Sequence, residues 1–415
     1  MDQAALYTKI DVVMNKMPQG ILGVTVSGGG DSVALLFLLA EWANKNNRKV
    51  CVATVNHNLR DAAASEAAFV ADLCKALDFE HTILEWKGWA GTGNLQNAAR
   101  NARKLLLTEW CAEYGVSAVA LGHTQDDQAE TFLLRLARGS GLDGLSAMQA
   151  ASGKDPVWIR PLLKVGRQEL RDYLTHIGQD WIDDPSNDDK SFERVKIRKS
   201  LPLLAELGLT IERLSQTAEG LQAPRFALEK MTQDGAYRCC KPNKYGVVEI
   251  DINKLQKEPL DVQYRLLSYS MSWVSGAVYR PRFKSLRATY DNLLEGCSQT
   301  LAGCFFKIDK KSNLVVMREL SSLPFMQLKN TTYDGRWQVF ANNDDNVSIG
   351  PIGEKGLPQI ENWRELGVLR DILLQTPAIW DRGTVVSAPL VGFDGKIAIS
   401  LKTDLKLFYK DIVSH

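Results

Sequence analysis

Ser27-Gly28-Gly29-Gly30-Asp31-Ser32 stands between Ile21–Val26, a short apolar run rich in β-branched residues, and Ser32–Ala43, where Leu35, Leu36, Leu39 and Ala43 recur on one helical face. A strand that runs into a helix through three glycines suits an anion. Glycine lets the backbone turn its N–H groups inward, and the helix N-terminus adds partial positive charge. The hydroxyls of Ser27 and Ser32 can donate to phosphate oxygens, whereas Asp31 beside a polyanion calls for a metal cation or a polar group of the ligand. Helix capping accounts for Asp31 and Ser32 but leaves Gly28, Gly29 and Gly30 unexplained. The loop is neither a Walker A motif, since no Gly-Lys-Ser/Thr follows, nor a GxGxxG dinucleotide fingerprint.

Outward from this loop, strand and helix periods alternate. Val50–Val55, His81–Trp86 and Ala118–Leu121 read as strands, and Ala63–Leu77, Asn94–Tyr114 and Asp127–Arg138 as helices. Apolar strands separated by helices imply an α/β fold with a parallel, Rossmann-like sheet, buried on both faces and binding ligands at the strands' C-terminal ends. Val165–Ile177 reads as a further helix, the acidic stretch 180–190 as a loop with a functional role, and 201–227 as largely helical. Farther on, Val262–Ser275 and Phe283–Leu294 read as helices and 303–318 as two strands around Lys-Lys-Ser-Asn; Arg336–Ala341, Thr384–Ser387 and Lys396–Leu401 are short alternating segments. The expected organisation is a nucleotide-binding catalytic domain over 1–217, a mostly helical middle domain over 218–322 and a small β-rich domain over 323–415.

The 415 residues are 45% apolar and 24% charged with a net charge of +1, which excludes a disordered chain and a uniformly basic nucleic-acid binder. Net charge is −3 over 1–217 and +4 over 218–415. Seven cysteines, none in CxxC spacing, argue against a disulfide framework or a cysteine-rich zinc site. The N-terminus lacks a secretory pattern and no run of 18 apolar residues occurs, so the expected location is the cytoplasm.

A second chemical cluster follows the fourth strand: Leu121-Gly-His-Thr-Gln-Asp-Asp-Gln-Ala-Glu-Thr131. Asp127 and Glu130, or Asp126 and Glu130, project on one side of the opening helical turn, close to the glycine loop if strands one and four are neighbours. Carboxylates converging on an anion site read as Mg2+ ligands or as binders of a substrate amine. A capping box around Thr124 or Asp126 contributes but does not explain His123, which can change charge near neutral pH.

The loop resembles the pyrophosphate-binding SGGxDS loop of the ATP-pyrophosphatase, or PP-loop, superfamily. The wider pattern resembles the tRNA-isoleucine lysidine synthetase family: Val55-Asn-His-Asn-Leu-Arg60 with Ser65 and Glu66, Asn94-Leu-Gln-Asn-Ala-Ala-Arg100 with Arg103, the 121–131 block, Arg138–Met148, Arg160-Pro-Leu-Leu163, and Asp184-Pro-Ser-Asn187 with Phe192, Arg194, Ile197 and Arg198. The resemblance implies ATP-dependent joining of free L-lysine to C2 of the wobble cytidine in a tRNA(Ile) with a CAU anticodon, through an adenylated tRNA, with pyrophosphate and AMP released. ATP and Mg2+ are the implied cofactors, and a homodimer is left open. Ser27, Gly28, Gly29, Gly30, Asp31 and Ser32 would hold ATP, and Asp31 and Asp127 the metal. Asp31, His123, Asp127, Glu130 and Arg198 would form the catalytic set, without an individual assignment among Asp127, Glu130 and His123 for holding or deprotonating the lysine. Arg100, Arg103, Arg194, Arg280, Arg282, Lys284 and Arg287 are the expected tRNA contacts, the last four beside the stacking surfaces of Tyr279 and Phe283.

The chain departs from the family pattern at Val195, where Asn commonly follows the arginine, and in its tail, where 355–375 carry only Lys355, Arg364 and Arg370 in place of a dense basic motif. Competing readings are a cytidine thiolase on the same fold, disfavoured by the missing cysteine pairs; an amidating synthetase, for which no glutaminase signature is found; and a tRNA-binding relative without catalysis, disfavoured by the intact Asp31, Ser32, Asp127 and Glu130.

Overall fold

The computed structural model describes residues 3–57, 63–87, 95–183, 193–277, 280–328, 332–340, 347–393 and 397–412. Asn58–Arg60, Asn94, Asp184–Asn187, Phe192 and Tyr279, named above, lie outside them. The chain divides into two compact units, Met1–Arg225 and Phe226–His415.

The first unit opens with α1 (Gln3–Met14) and proceeds through β1 (Ile21–Thr25), α2 (Gly30–Asn46), β2 (Val50–Asn56), α3 (Ala63–Ala76), β3 (Glu80–Glu85), α4 (Leu95–Tyr114), β4 (Val116–Ala120), α5 (Gln125–Ala137) and α6 (Leu142–Leu145). A short hairpin, β5 (Ala151–Ser152) and β6 (Val157–Ile159), precedes α7 (Arg167–His176), α8 (Glu193–Glu206) and α9 (Ile211–Gly220); α10 (Gln222–Cys239) spans the division. The sheet order is β3-β2-β1-β4-β6-β5, parallel except for the antiparallel edge strand β5.

Period-two alternation sends successive side chains to opposite faces of this sheet. Leu22, Val24, Val50, Val52, Ala118 and Ala120 pack with Leu6 and Ile10 of α1, Leu35, Leu36 and Leu39 of α2, Val70 of α3 and Leu170 and Leu174 of α7. On the other face, Cys51, Ala53 and Val119 pack with Leu107, Trp110 and Cys111 of α4. A sheet covered on both faces explains why its central strands read as unbroken apolar runs. Because the order reverses direction between β1 and β4, their C-terminal ends form the crevice where α/β sheets bind ligands.

In the second unit, β7 (Cys240–Pro242), β8 (Val248–Asp251), α11 (Ile252–Leu255), α12 (Leu260–Ser275), α13 (Phe283–Leu294), β9 (Gln299–Leu301), β10 (Cys304–Ile308) and β11 (Asn313–Arg318) follow in order. The strands form an antiparallel sheet, β7-β8-β11-β10-β9, and α12 and α13 bury Leu266, Leu267, Leu286 and Leu293 in one core with Val248, Phe306 and Val316. Beyond come β12 (Met326–Gln327), β13 (Thr332–Tyr333), β14 (Trp337–Phe340), β15 (Ser348–Pro351), β16 (Pro377–Asp381), β17 (Thr384–Ser387) and β18 (Ala398–Leu401), in sheets β12-β15-β16-β17 and β13-β14-β18. The mixed architecture is the expected one: a parallel-sheet α/β domain, helices in the middle region and β-rich sheets after it. The five-stranded sheet among the middle helices is more β-structure than the 303–318 hairpin alone announced. Among the described residues no helix is long and apolar enough to cross a membrane.

Candidate active site

The glycine loop leaves β1 and enters α2 through Gly28, whose φ of +85° an L side chain rarely adopts and where a Cβ would come within 2.9 Å of the Ile182 side chain. Gly29 is the N-cap residue and supplies no side-chain cap to the first turn of α2. The loop is braced internally: Ser32 Oγ accepts from the Ser27 N–H at 3.1 Å, lies 3.2 Å from Ser27 Oγ and donates to the Gly29 carbonyl at 2.8 Å. It is braced externally by the Ile182 N–H, which donates to the Gly28 carbonyl at 2.9 Å. The acidic loop expected to serve the site therefore touches it through Trp181 and Ile182; its residues 184–190 lie outside the described residues.

β4 ends beside this loop. Gly122 approaches α2 so closely that a Cβ would meet the Ser32 backbone at 3.3 Å. Thr124 then caps α5 in a capping box, with its N–H and hydroxyl donating to Asp127 Oδ2 at 2.9 and 3.0 Å and the Asp127 N–H donating back at 3.4 Å. This fixes the Asp127 carboxylate with Oδ1 turned toward the crevice. The expected neighbourhood of the two clusters is present, because β1 and β4 pair directly.

The residue that joins them is Arg167, which the sequence reading did not single out. Its Nε donates to Asp31 Oδ2 at 3.0 Å, Nη2 lies 3.5 Å from Asp127 Oδ1, and Nη1 lies 3.7 Å from Glu130 Oε1. Its backbone N–H donates to Asp126 Oδ2 at 2.8 Å, and the Gln125 N–H donates to the Val165 carbonyl at 2.9 Å, which locks the start of α7 onto the start of α5. A signal was there to be read: Arg167 is the first residue of its helix, where the helix dipole disfavours a cation unless carboxylates compensate. Burial works against its charge, and the Asp31 and Asp127 carboxylates more than offset that, so its guanidinium is held protonated more firmly than in water.

Glu130 is fully buried. Its Oε1 accepts from Arg198 Nε at 2.9 Å, while Oε2 has no hydrogen-bond partner among the described residues. Asp31, partly covered, has its carboxyl pushed above the usual range by burial, against the pull of Arg167. Burial also pushes the His123 imidazole down to about 4, with Asp127 opposing and Arg160, Arg103 and Arg194 reinforcing, so the ring is neutral at physiological pH. Its Nδ1 is buried without a partner.

Among the expected catalytic residues, Asp31, Asp127, Glu130 and Arg198 thus meet in one network, with His123 beside it. Of the expected tRNA contacts in this unit, Arg103 reaches Thr25 Oγ1 at the end of β1, 3.2 Å away, whereas Arg100 and Arg194 lie exposed on α4 and α8. Val195, at the departure from the family pattern, is a buried core residue. In the second unit Arg280, Arg282, Lys284 and Arg287 are exposed around the start of α13, beside the exposed Phe283, which packs edge-on against Tyr264; Arg287 also pairs with Asp291.

Among the described residues no three His, Cys, Asp or Glu side chains gather as a ready-made metal cage. Asp31 and Asp127 are still a fitting pair for Mg2+, which is commonly held by one or two carboxylates together with water and substrate phosphates. The described cysteines are free and, apart from Cys297, buried, and burial pushes the thiols of Cys74, Cys239 and Cys304 up to about 11.

The sheet order, the glycine loop and the switch-point crevice define a nucleotide-binding domain of the PP-loop class, and residues 3–204 match the PP-loop domain family. Over 412 residues the chain is 37% identical to the tRNA(Ile)-lysidine synthase of Ruegeria pomeroyi, covering 99% of this chain and 98% of that protein, and it is 34% identical to that of Wolbachia pipientis wMel over 90% of each. Among solved structures, the U34-tRNA thiolase NcsA of Methanococcus maripaludis is similar over 53% of this chain and 78% of its own, with 18% identity and a TM-score of 0.47. The chain belongs to the tRNA(Ile)-lysidine synthase family, a family of ligases.

Proposed function

We propose that the protein joins the ε-amine of free L-lysine to C2 of the wobble cytidine in the CAU anticodon of tRNA(Ile), cleaving ATP to AMP and pyrophosphate in the cytoplasm. The observation that carries this reading is the meeting of a phosphate cradle with a buried carboxylate network at the ends of β1 and β4, in a chain whose relatives bear that name.

In the first step the C2 carbonyl oxygen of cytosine attacks the α-phosphorus of ATP; a new P–O bond forms, the bond to the β-phosphate's bridging oxygen breaks and pyrophosphate leaves. The Ser27 and Ser32 hydroxyls and the N-terminal turn of α2 receive its charge. Asp31 and Asp127 would hold Mg2+, which when bound supplies further charge neutralisation at the phosphates. In the second step the neutral ε-amine attacks C2, the bond from C2 to the adenylate oxygen breaks and AMP departs. Glu130, whose Oε2 has no hydrogen-bond partner among the described residues, is the candidate to hold the substrate's ammonium group, and Glu130, Asp127 and the neutral His123 are the candidates to take its proton. Arg198 acts on Glu130, holding its other oxygen in place.

The tRNA is held by phosphate contacts from Arg100, Arg103 and Arg194 in the catalytic domain, taken as 1–217, and from Arg280, Arg282, Lys284 and Arg287 in the 218–322 region, with 323–415 as a separate domain. With ATP and tRNA but without lysine, AMP should accumulate on the tRNA and pyrophosphate should be released in equal amount; pyrophosphate release that ignores tRNA would refute the assignment.

A further inference from the structure

Arg167 joins the carboxylates of the two clusters. Its guanidinium lies between Asp31 of the glycine loop and Asp127 and Glu130 of α5, and its own N–H is taken by Asp126. Among the described residues those four carboxylates pair with two guanidinium groups, Arg167 and Arg198, and one carboxylate oxygen, Glu130 Oε2, is buried without a hydrogen-bond partner. Leaving a buried acceptor unsatisfied is costly, as is gathering like charges in a half-covered crevice, so the arrangement is balanced only in part by the chain itself.

We propose that Arg167 is a built-in counter-ion: it lies between Asp31 and Asp127, where a divalent cation arriving with the nucleotide would be held, and it would have to release at least one of these carboxylates for that cation to bind. The inference deepens the proposed reaction and rests on it for the identity of the nucleotide, but the competition between guanidinium and metal ion stands on the geometry. Arg167 is in this sense a positioning residue. It keeps the loop after β1 and the first turn of α5 in register before substrate arrives, and it sets how strongly the pair of carboxylates attracts a metal.

Removing a positive charge this close to two carboxylates favours any competing cation. Titration of the nucleotide-free protein with Mn2+, followed by electron paramagnetic resonance, should therefore show Arg167→Gln binding the ion at least about tenfold more tightly than wild type, with Arg167→Lys within about threefold of wild type. Mn2+ affinity that is unchanged or weaker in folded Arg167→Gln, or equally raised in the charge-preserving Arg167→Lys, would overturn the proposal. A second measurement needs no neutral variant. In the wild-type chain the Nε–H resonance of Arg167, assigned by its loss in Arg167→Lys, should shift when Mg2+ and a non-hydrolysable ATP analogue are added together; a resonance that stays in place contradicts displacement. Lysine transfer to tRNA by the same wild-type preparation reports separately on the proposed reaction, so its failure would leave the Mn2+ result standing.

Discussion

Glu130→Gln should separate the two steps of the proposed reaction. The carboxylate is fully buried, Oε1 is engaged by Arg198 at 2.9 Å and more distantly by Arg167 at 3.7 Å, and Oε2 has no partner. Glutamine keeps the shape and an acceptor for Arg198 but gives up the charge. A charge-assisted hydrogen bond is worth about 1.5–3 kcal/mol, so losing one between Oε2 and a lysine ammonium should slow lysine transfer about 10- to 150-fold. Adenylation, which engages the glycine loop and Asp31 in place of Oε2, should slow by less than about threefold, under 1 kcal/mol. Single-turnover quench experiments with radiolabelled ATP and tRNA resolve the two: adenylated tRNA should build up in the variant and decay slowly once lysine is added. Circular dichroism checks that the variant remains folded. If both steps fall together, Glu130 serves the nucleotide or its metal, and the ammonium-binding role passes to Asp127 or His123.

Three further outcomes follow from the same geometry. Asp31→Ala should abolish tRNA-dependent pyrophosphate release at saturating Mg2+ while leaving the circular dichroism spectrum intact, because among the described residues the Asp31 side chain pairs with Arg167 and is not part of the apolar core; wild-type turnover would remove it from the chemistry. Replacing Arg280, Arg282, Lys284 and Arg287 by Ala should weaken tRNA binding and flatten its dependence on salt, by as much as about 0.7–0.9 in log–log slope per lost phosphate contact, with ATP affinity unchanged; a slope equal to wild type would mark a solvated helix face. Since burial depresses the folded-state pKa of His123 to about 4, the unfolded chain binds the extra proton first, so its contribution is present above about pH 6.5 and is lost as pH falls toward 4. Urea unfolding of wild type should accordingly lose roughly 2–3 kcal/mol more than His123→Asn across that interval, and parallel pH profiles would contradict a buried neutral ring.

The first unit was legible because its central strands, covered on both faces, read as unbroken apolar runs, while its helices, covered on one face, carry a helical period. Ile21–Thr25, Val50–Asn56, Glu80–Glu85 and Val116–Ala120 fall within a residue or two of the expected strands, and α13 spans Phe283–Leu294 as expected. Helix α1 was not read, since its buried residues Leu6, Ile10 and Met14 are diluted by Val12 and Val13 on other faces. The strands β5, β6, β7 and β12 were missed because two or three residues hold no periodicity. In the site, the glycine loop and the 121–131 cluster announced themselves by residue type at a strand end. Arg167 did not: its role depends on α7 packing its first turn against that of α5, a tertiary contact 37 or more residues distant from any of these partners that local pattern cannot express. The Arg198–Glu130 pair is non-local in the same way, although both residues had been selected singly.

Nucleoside mass spectrometry of tRNA(Ile) after incubation with the protein, ATP and lysine tests the central claim most directly. The account predicts that the wobble cytidine disappears and that a nucleoside appears with the mass of cytidine plus lysine less one water, carrying the label when isotopically labelled lysine is supplied. Cytidine that remains unmodified while ATP is cleaved, or that gains a sulfur in place of lysine, would contradict it.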